Sequence, residues 1–101
     1  MGNSENMALV DRLQSMKVFV RVAQHAGFAA AARELRMSTA AVSKHVSALE
    51  AQLSTRLLDR TTRSVGLTEA GRIYLERCIE CLQACDDADA SVIELGKESR
   101  G

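Results

Sequence analysis

The stretch Ser38-Thr39-Ala40-Ala41-Val42-Ser43-Lys44-His45-Val46-Ser47-Ala48-Leu49-Glu50-Ala51-Gln52-Leu53 separates into two faces when wound as a helix. Val42, Val46, Leu49 and Leu53 recur at steps of four, three and four, an apolar stripe, and Ser38 is a residue type whose side chain caps a first turn. The opposite face, Thr39, Ala40, Ser43, Lys44 and Ser47, is small, hydroxylated or basic. A helix enters the major groove of B-DNA only if its leading surface is small. Hydroxyls can then bond base edges or phosphates, an alanine methyl can touch a thymine methyl, and a lysine supplies charge.

Working outward, Ala29–Arg36 is rich in strong helix formers over about two turns, and Met37-Ser38 breaks the pattern before the third helix. Upstream, Asp11 is a candidate N-cap, and Leu13, Met16, Phe19, Val20 and Ala23 follow amphipathic helical spacing to Gly27, where a left-handed residue can end the helix. The polar opening MGNSENMALV has no periodicity, and Met7 is a second candidate start. Downstream of Ser54, Leu57-Leu58-Asp59-Arg60 and Val65-Gly66-Leu67 are short β-capable runs around the polar turn Thr61-Thr62-Arg63-Ser64, a small hairpin. Thr68 can cap a fourth helix. From Tyr74 the seam Cys78, Cys81, Cys85, Ala88, Val92 and Leu95 advances by alternating fours and threes, broadened by Leu75, Ile79, Leu82 and Ile93.

These elements predict a mainly α architecture: a winged helix-turn-helix of three helices and a small β-hairpin wing, followed by a long C-terminal linker and dimerisation helix. The expected divisions are a flexible leader at 1–10, the winged helix-turn-helix at 11–67, the linker helix at 68–96 and a flexible tail at 97–101. As one helix, 68–95 spans about 42 Å. It outruns anything a domain of this size can cover. On its own it would leave Leu75, Cys78, Ile79, Leu82, Cys85, Val92 and Ile93 in water, so a second copy is expected to cover Tyr74, Leu75, Cys78, Cys81, Leu82, Cys85 and Val92.

The chain has 101 residues, 47% hydrophobic and 26% charged, with no proline. That balance suits one folded domain and excludes a disordered tail or a Pro-rich linker. The longest uncharged stretch, Val22–Ala32, is too short to span a bilayer, and the opening residues lack a basic signal-peptide start. Three cysteines, an odd number, do not suggest a disulfide framework and fit a reducing cytoplasm. Thirteen basic and thirteen acidic residues cancel, but not evenly along the chain. Arg36, Lys44, Arg56, Arg60 and Arg63 outnumber Glu50 and Asp59 in 36–64, whereas 76–98 holds seven acids against Arg77 and Lys97. Three aromatics are too few for the stacking platforms that hold single strands, so any nucleic acid bound should be duplex.

The blocks Phe28-Ala29-Ala30-Ala31-Ala32-Arg33, Ser38 to Lys44, Leu49-Glu50, Arg56-Leu57-Leu58-Asp59-Arg60-Thr61-Thr62-Arg63 and Leu67-Thr68-Glu69-Ala70-Gly71 carry a resemblance. In identity and spacing they are similar to the N-terminal domain of LysR-type transcriptional regulators, over about Leu13–Leu82. The resemblance implies that the third helix reads the major groove, the wing contacts flanking DNA, and the fourth helix pairs with its counterpart in a homodimer on a pseudo-palindromic operator. It assigns base-edge or phosphate contacts to Thr39, Ala40, Ser43 and Lys44 and wing contacts to Arg60 and Arg63; Ser38, whose first-turn N–H groups point toward a phosphate, Ser47 and Thr62 complete the expected DNA-contacting set. It also implies a bacterial cytoplasmic regulator whose inducer is taken by a larger effector domain that this sequence does not contain, and a full-length parent that can be a tetramer.

Three departures stand out. Thr39-Ala40 replaces the frequent Gln-Pro, which removes a Gln-to-adenine contact. Ala29 stands where a Ser or Thr usually caps helix two, and Ser54 where a Gly usually follows helix three. Competing readings are a protein-interaction winged helix, favoured by zero net charge, and a thiol-based sensor, since Cys78, Cys81 and Cys85 form C-x2-C-x3-C. One helix face cannot surround a metal tetrahedrally, so the cysteines read as small seam hydrophobes, and no metal or other cofactor is expected. Arg33 and Glu34 read as a structural ion pair, Arg60 has Asp59 as an alternative partner, and His45 is expected near a phosphate or in water. No arrangement of these residues suggests catalysis.

Overall fold

The computed structural model describes residues 8–60 and 65–100, the last two by backbone alone. Its elements run α1 (Leu9–His25), α2 (Phe28–Leu35), α3 (Thr39–Leu53), β1 (Leu58–Arg60), β2 (Val65–Leu67) and α4 (Glu69–Arg100). α1 turns one stripe inward, burying Met16, Val18, Phe19, Val20 and Val22. Its first turn begins two residues before Asp11 and its N-cap is Ala8. Asp11 therefore does not cap the helix; its charge lies in the first turn, beside the unsatisfied N–H groups.

The three head helices end alike. Ala26, Arg36 and Ser54 each adopt φ between 52° and 59°. The residue after each donates its N–H five positions back: Gly27 to Val22 O, Met37 to Ala32 O and Thr55 to Glu50 O, at 3.2, 3.0 and 3.1 Å. Gly27 is thus not the left-handed residue expected from the sequence; it is extended and N-caps α2. Ala29 lies inside α2 rather than at its cap. Left-handed geometry costs an L-residue roughly 1–2 kcal/mol, and the paired helix carbonyls offset it.

α3 starts where expected. Ser38 Oγ accepts the Ala41 N–H at 3.0 Å, and Val42, Val46 and Leu49 are buried. The hairpin pairs Leu58 with Leu67, Asp59 with Gly66 and Arg60 with Val65, antiparallel. Thr68 then fastens α4 to the wing: its hydroxyl donates to Arg56 O at 2.7 Å and accepts from Gly71 N at 2.9 Å. At Gly71 the helix passes so close to the preceding loop that an added Cβ would lie 2.0 Å from Leu57 O. Only glycine fits there.

Phe19, Leu49, Leu57, Leu58, Val18, Val22, Val42, Val46 and Cys78 form the fully buried centre, with Tyr74 tilted against Phe19 at 5.7 Å between ring centroids. This changes the reading of the long seam. Cys78 is covered by α1 within the same chain, and Tyr74, Leu75 and Leu82 are half-buried against the same core. Beyond Leu82 every residue of α4 with a described side chain is exposed, Val92 at 69% and Leu95 at 63%. The helix also runs to Arg100, past the expected end at 96, just as α1 takes in Leu9 and Val10 from the expected leader.

Candidate nucleic-acid interface

Burying Val42, Val46 and Leu49 turns the other side of α3 to solvent. Ser38, Thr39, Ala40, Lys44 and Ser47 are exposed and Ser43 is half-buried, so the structure brings together on one surface all six helix positions named from the sequence. The Ser38 hydroxyl already accepts the Ala41 N–H. The neighbouring amides of that first turn still present partial positive charge outward. Lys44 makes no ion pair among the described residues and remains a free cation on this face.

Arg60 is held differently. Its guanidinium lies 5.0 Å from the centroid of the Phe28 ring and 3.4 Å from Glu50 Oε1, so its carboxylate partner is Glu50 on α3 and not the neighbouring Asp59. The same Glu50 accepts the backbone N–H groups of Leu57 and Leu58 at 2.9 and 3.2 Å. One side chain thereby ties the start of the wing to the last turns of α3 and sets their relative position. Glu50 was visible in the sequence only as half of the Leu49-Glu50 block, with no sign of what it held. Thr62 and Arg63 lie outside the described residues.

His45 also departs from expectation. Half-buried, its Nδ1 is 2.7 Å from Oγ of the fully buried Ser15, which locks α3 to α1 by a polar contact inside an otherwise apolar seam. Glu34 pairs with Arg21 at 3.0 Å and with His25, not with Arg33. The hydrogen bond to His25, followed by the Arg21 charge, holds the Glu34 carboxyl below its ordinary value. Arg33 and Arg36 are exposed and make no ion pair among the described residues.

On α4, Cys78 is buried whereas Cys81 and Cys85 are exposed. Burial pushes the Cys78 thiol up to about 11, far from the thiolate that coordinates metals or reacts. Among the described residues no group of three or more His, Cys, Asp or Glu side chains could hold a metal ion, and no helix is long and apolar enough to cross a membrane.

Two packed helices joined by a tight turn, the second with an open polar face and a hairpin anchored beside it, define a winged helix-turn-helix. The profile of the bacterial regulatory helix-turn-helix proteins of the lysR family matches residues 13–72, and the chain belongs to that family. It is 49% identical over 78 residues to the HTH-type transcriptional activator AaeR of Escherichia coli K12, covering 77% of this chain and 25% of the relative. It is 41% identical over 83 residues to an HTH-type transcriptional repressor of Pseudomonas aeruginosa, covering 82% and 26%. The chain thus spans about a quarter of the length of these relatives. Among solved structures it is similar to the DNA-binding domain of BenM in complex with catB site 1 DNA (TM-score 0.80, 26% identity, 83% of this chain and 93% of that one). It is also similar to the DNA-binding domain of CbnR in complex with DNA (TM-score 0.75, 35% identity, 81% and 95%).

Proposed function

We propose that this chain is the DNA-reading part of a bacterial LysR-family transcription regulator, acting in the cytoplasm as a homodimer on a pseudo-palindromic duplex operator. The observation that carries the reading is the exposed face of α3. Thr39, Ala40, Lys44 and Ser47 are exposed together with half-buried Ser43, and Glu50 ties the start of the wing to the last turns of the same helix. The likeness to two domains solved on DNA supports it. Residues 11–67 form the reader and the helix from 68 the linker, while an effector domain elsewhere in the parent would take the small-molecule inducer and build any tetramer.

The mechanism is positioning rather than chemistry, in keeping with a family of transcription regulators and not of enzymes. Ser38 and the first-turn amides of α3 meet a phosphate and set the register. Thr39, Ala40, Ser43 and Lys44 then face base edges, with Ser47 at the groove wall. Arg60, steadied on Phe28, and Thr62 and Arg63 beyond it would meet the flanking backbone or minor groove. Two copies present two such surfaces to half-sites about one helical turn apart, or a multiple of it.

Selection of the purified chain on a random duplex library, with sedimentation of the complex, tests this directly. A two-fold motif bound by two chains is the expected result, with affinity falling steeply as salt rises; no enrichment at any salt would overturn the reading. Lys44→Ala should weaken the selected site by roughly 1–3 kcal/mol, measured by titration. An unchanged affinity would remove Lys44 from the reading surface.

A further inference from the structure

Among the described residues Ser15 is the one buried polar side chain, 1% exposed on the inner face of α1. Its hydroxyl has a single hydrogen-bond partner among those residues, Nδ1 of His45 on α3 at 2.7 Å. Alanine at 15 would suit the surrounding core and would bury no hydroxyl, so packing alone gives no reason for a serine. His45 is half-buried and lines an open cleft of about 450 Å³ between α1 and α3, together with Asp11, Ala41, Lys44 and Ala48. Around the axis of α3, His45 stands at one edge of the apolar stripe Val42, Val46, Leu49 and Leu53, and Glu50 stands at the other. One edge is therefore tied to α1 and the other to the wing, where Glu50 holds the Leu57 and Leu58 amides. The stripe between them is apolar, and apolar contact has no direction.

We infer that His45 is a positioning residue for DNA reading: its bond to Ser15 fixes the roll of α3 about its own axis, and thereby where Thr39, Ala40, Ser43 and Lys44 meet the base edges. The inference rests on the DNA reading proposed above and adds what aims the reading face. His45 does not itself face the groove, because the stripe edge it occupies lies on the far side of the helix from Ala40 and Ser47. A side-chain tip lies about 5–6 Å from the helix axis, so a roll of about 10° displaces it by about 1 Å. A hydrogen bond to a base edge is weakened or lost over that distance. Apolar packing tolerates such a roll, whereas the Ser15 hydroxyl is paired at one setting only; at any other it is a buried group without a partner. Lys44 directly precedes His45, so the setting reaches the cation of the reading face through a single peptide bond.

Three variants of the 101-residue chain separate aim from stability: Ser15→Ala, Ser15→Ala combined with His45→Leu, and His45→Asn. Each is titrated on the duplex selected by the unsubstituted chain and on an unrelated duplex of equal length, beside urea unfolding. Replacing both partners by apolar side chains removes the buried polar group along with its bond, so the double variant should unfold close to the unsubstituted chain. It should nonetheless lose about tenfold on the selected duplex and stay within about twofold on the unrelated one. Ser15→Ala alone should do the same. His45→Asn, whose Oδ1 takes the place of Nδ1 as acceptor, should keep the selected duplex within about threefold. An unchanged affinity of the double variant for the selected duplex overturns the inference, as does an equal loss on both duplexes. A loss in His45→Asn as large as in Ser15→Ala removes the hydrogen bond as its cause. If the unsubstituted chain selects no duplex, the DNA reading itself fails and takes the positioning role with it.

Discussion

The two halves of α4 share one periodicity and have opposite surroundings. In the first half Tyr74 and Cys78 meet α1 and the Phe19 ring; in the second, Val92 and Leu95 lie on the continuation of the same seam and stand in water. The contrast shows that a heptad pattern specifies a face and not its cover. Whether the cover comes from the same chain depends on how far α1 reaches, and among the described residues α1 runs from Leu9 to His25.

The contrast can be broken most severely at its inner end. Gly71→Ala would push a methyl into the Leu57 carbonyl, an overpacking with backbone on both sides, and is expected to cost about 3 kcal/mol in urea unfolding. A loss under 1 kcal/mol would mean that α4 is not pinned to the wing as described. Next comes the thiol. Because the Cys78 value is raised when folded, from 9.0 to about 11, the folded chain retains a proton that the unfolded chain releases. Its stabilising contribution is complete below pH 9 and is lost as pH rises toward 11. Urea melts across that window should show the decline, and Cys78→Ala should flatten it. At pH 8, Cys81 and Cys85 should react with a thiol reagent while Cys78 stays silent until the chain unfolds.

Smaller effects sharpen the same comparison. The Tyr74 hydroxyl is buried and no hydrogen bond to it has ordinary geometry among the described residues, although Arg12 and Cys78 lie near it; an unsatisfied buried group costs about 1–3 kcal/mol. Tyr74→Phe should therefore be neutral or gain up to about 1 kcal/mol; a clear loss would reveal a partner for that hydroxyl. Smallest of all is Val92→Ser. At dilutions where the chain is a monomer it should change unfolding by no more than about 0.5 kcal/mol, as exposed positions do. A larger effect there would show that the distal half is packed within its own chain.

Much of the reader was legible because local chemistry settles it. Ser38 caps α3 where its hydroxyl type predicts, and the stripe Val42, Val46, Leu49 determines which face is left open, so the candidate contact residues follow from spacing alone. The hairpin ends, Leu58 to Arg60 and Val65 to Leu67, were equally visible from β-capable runs on either side of a polar turn. Helix ends were less legible. Ala26 takes the left-handed geometry expected of Gly27, and Arg36 and Ser54 take it at the ends of the next two helices, since the bonds to Val22, Ala32 and Glu50 carbonyls outweigh the steric cost of a side chain.

What the sequence determined by itself is whatever one period or one cap can specify: four helices, a wing, a small basic face on α3 and an apolar line down α4. Contacts between residues far apart in the chain belonged to the tertiary structure. Glu50 holds Leu57, Leu58 and Arg60; Ser15 meets His45 across the helix pair; Gly71 meets the Leu57 carbonyl; and α1 takes Cys78 away from the outer seam. The reason is physical: periodicity records which side of an element avoids water, whereas the partner that excludes the water is chosen only when packing brings distant surfaces together.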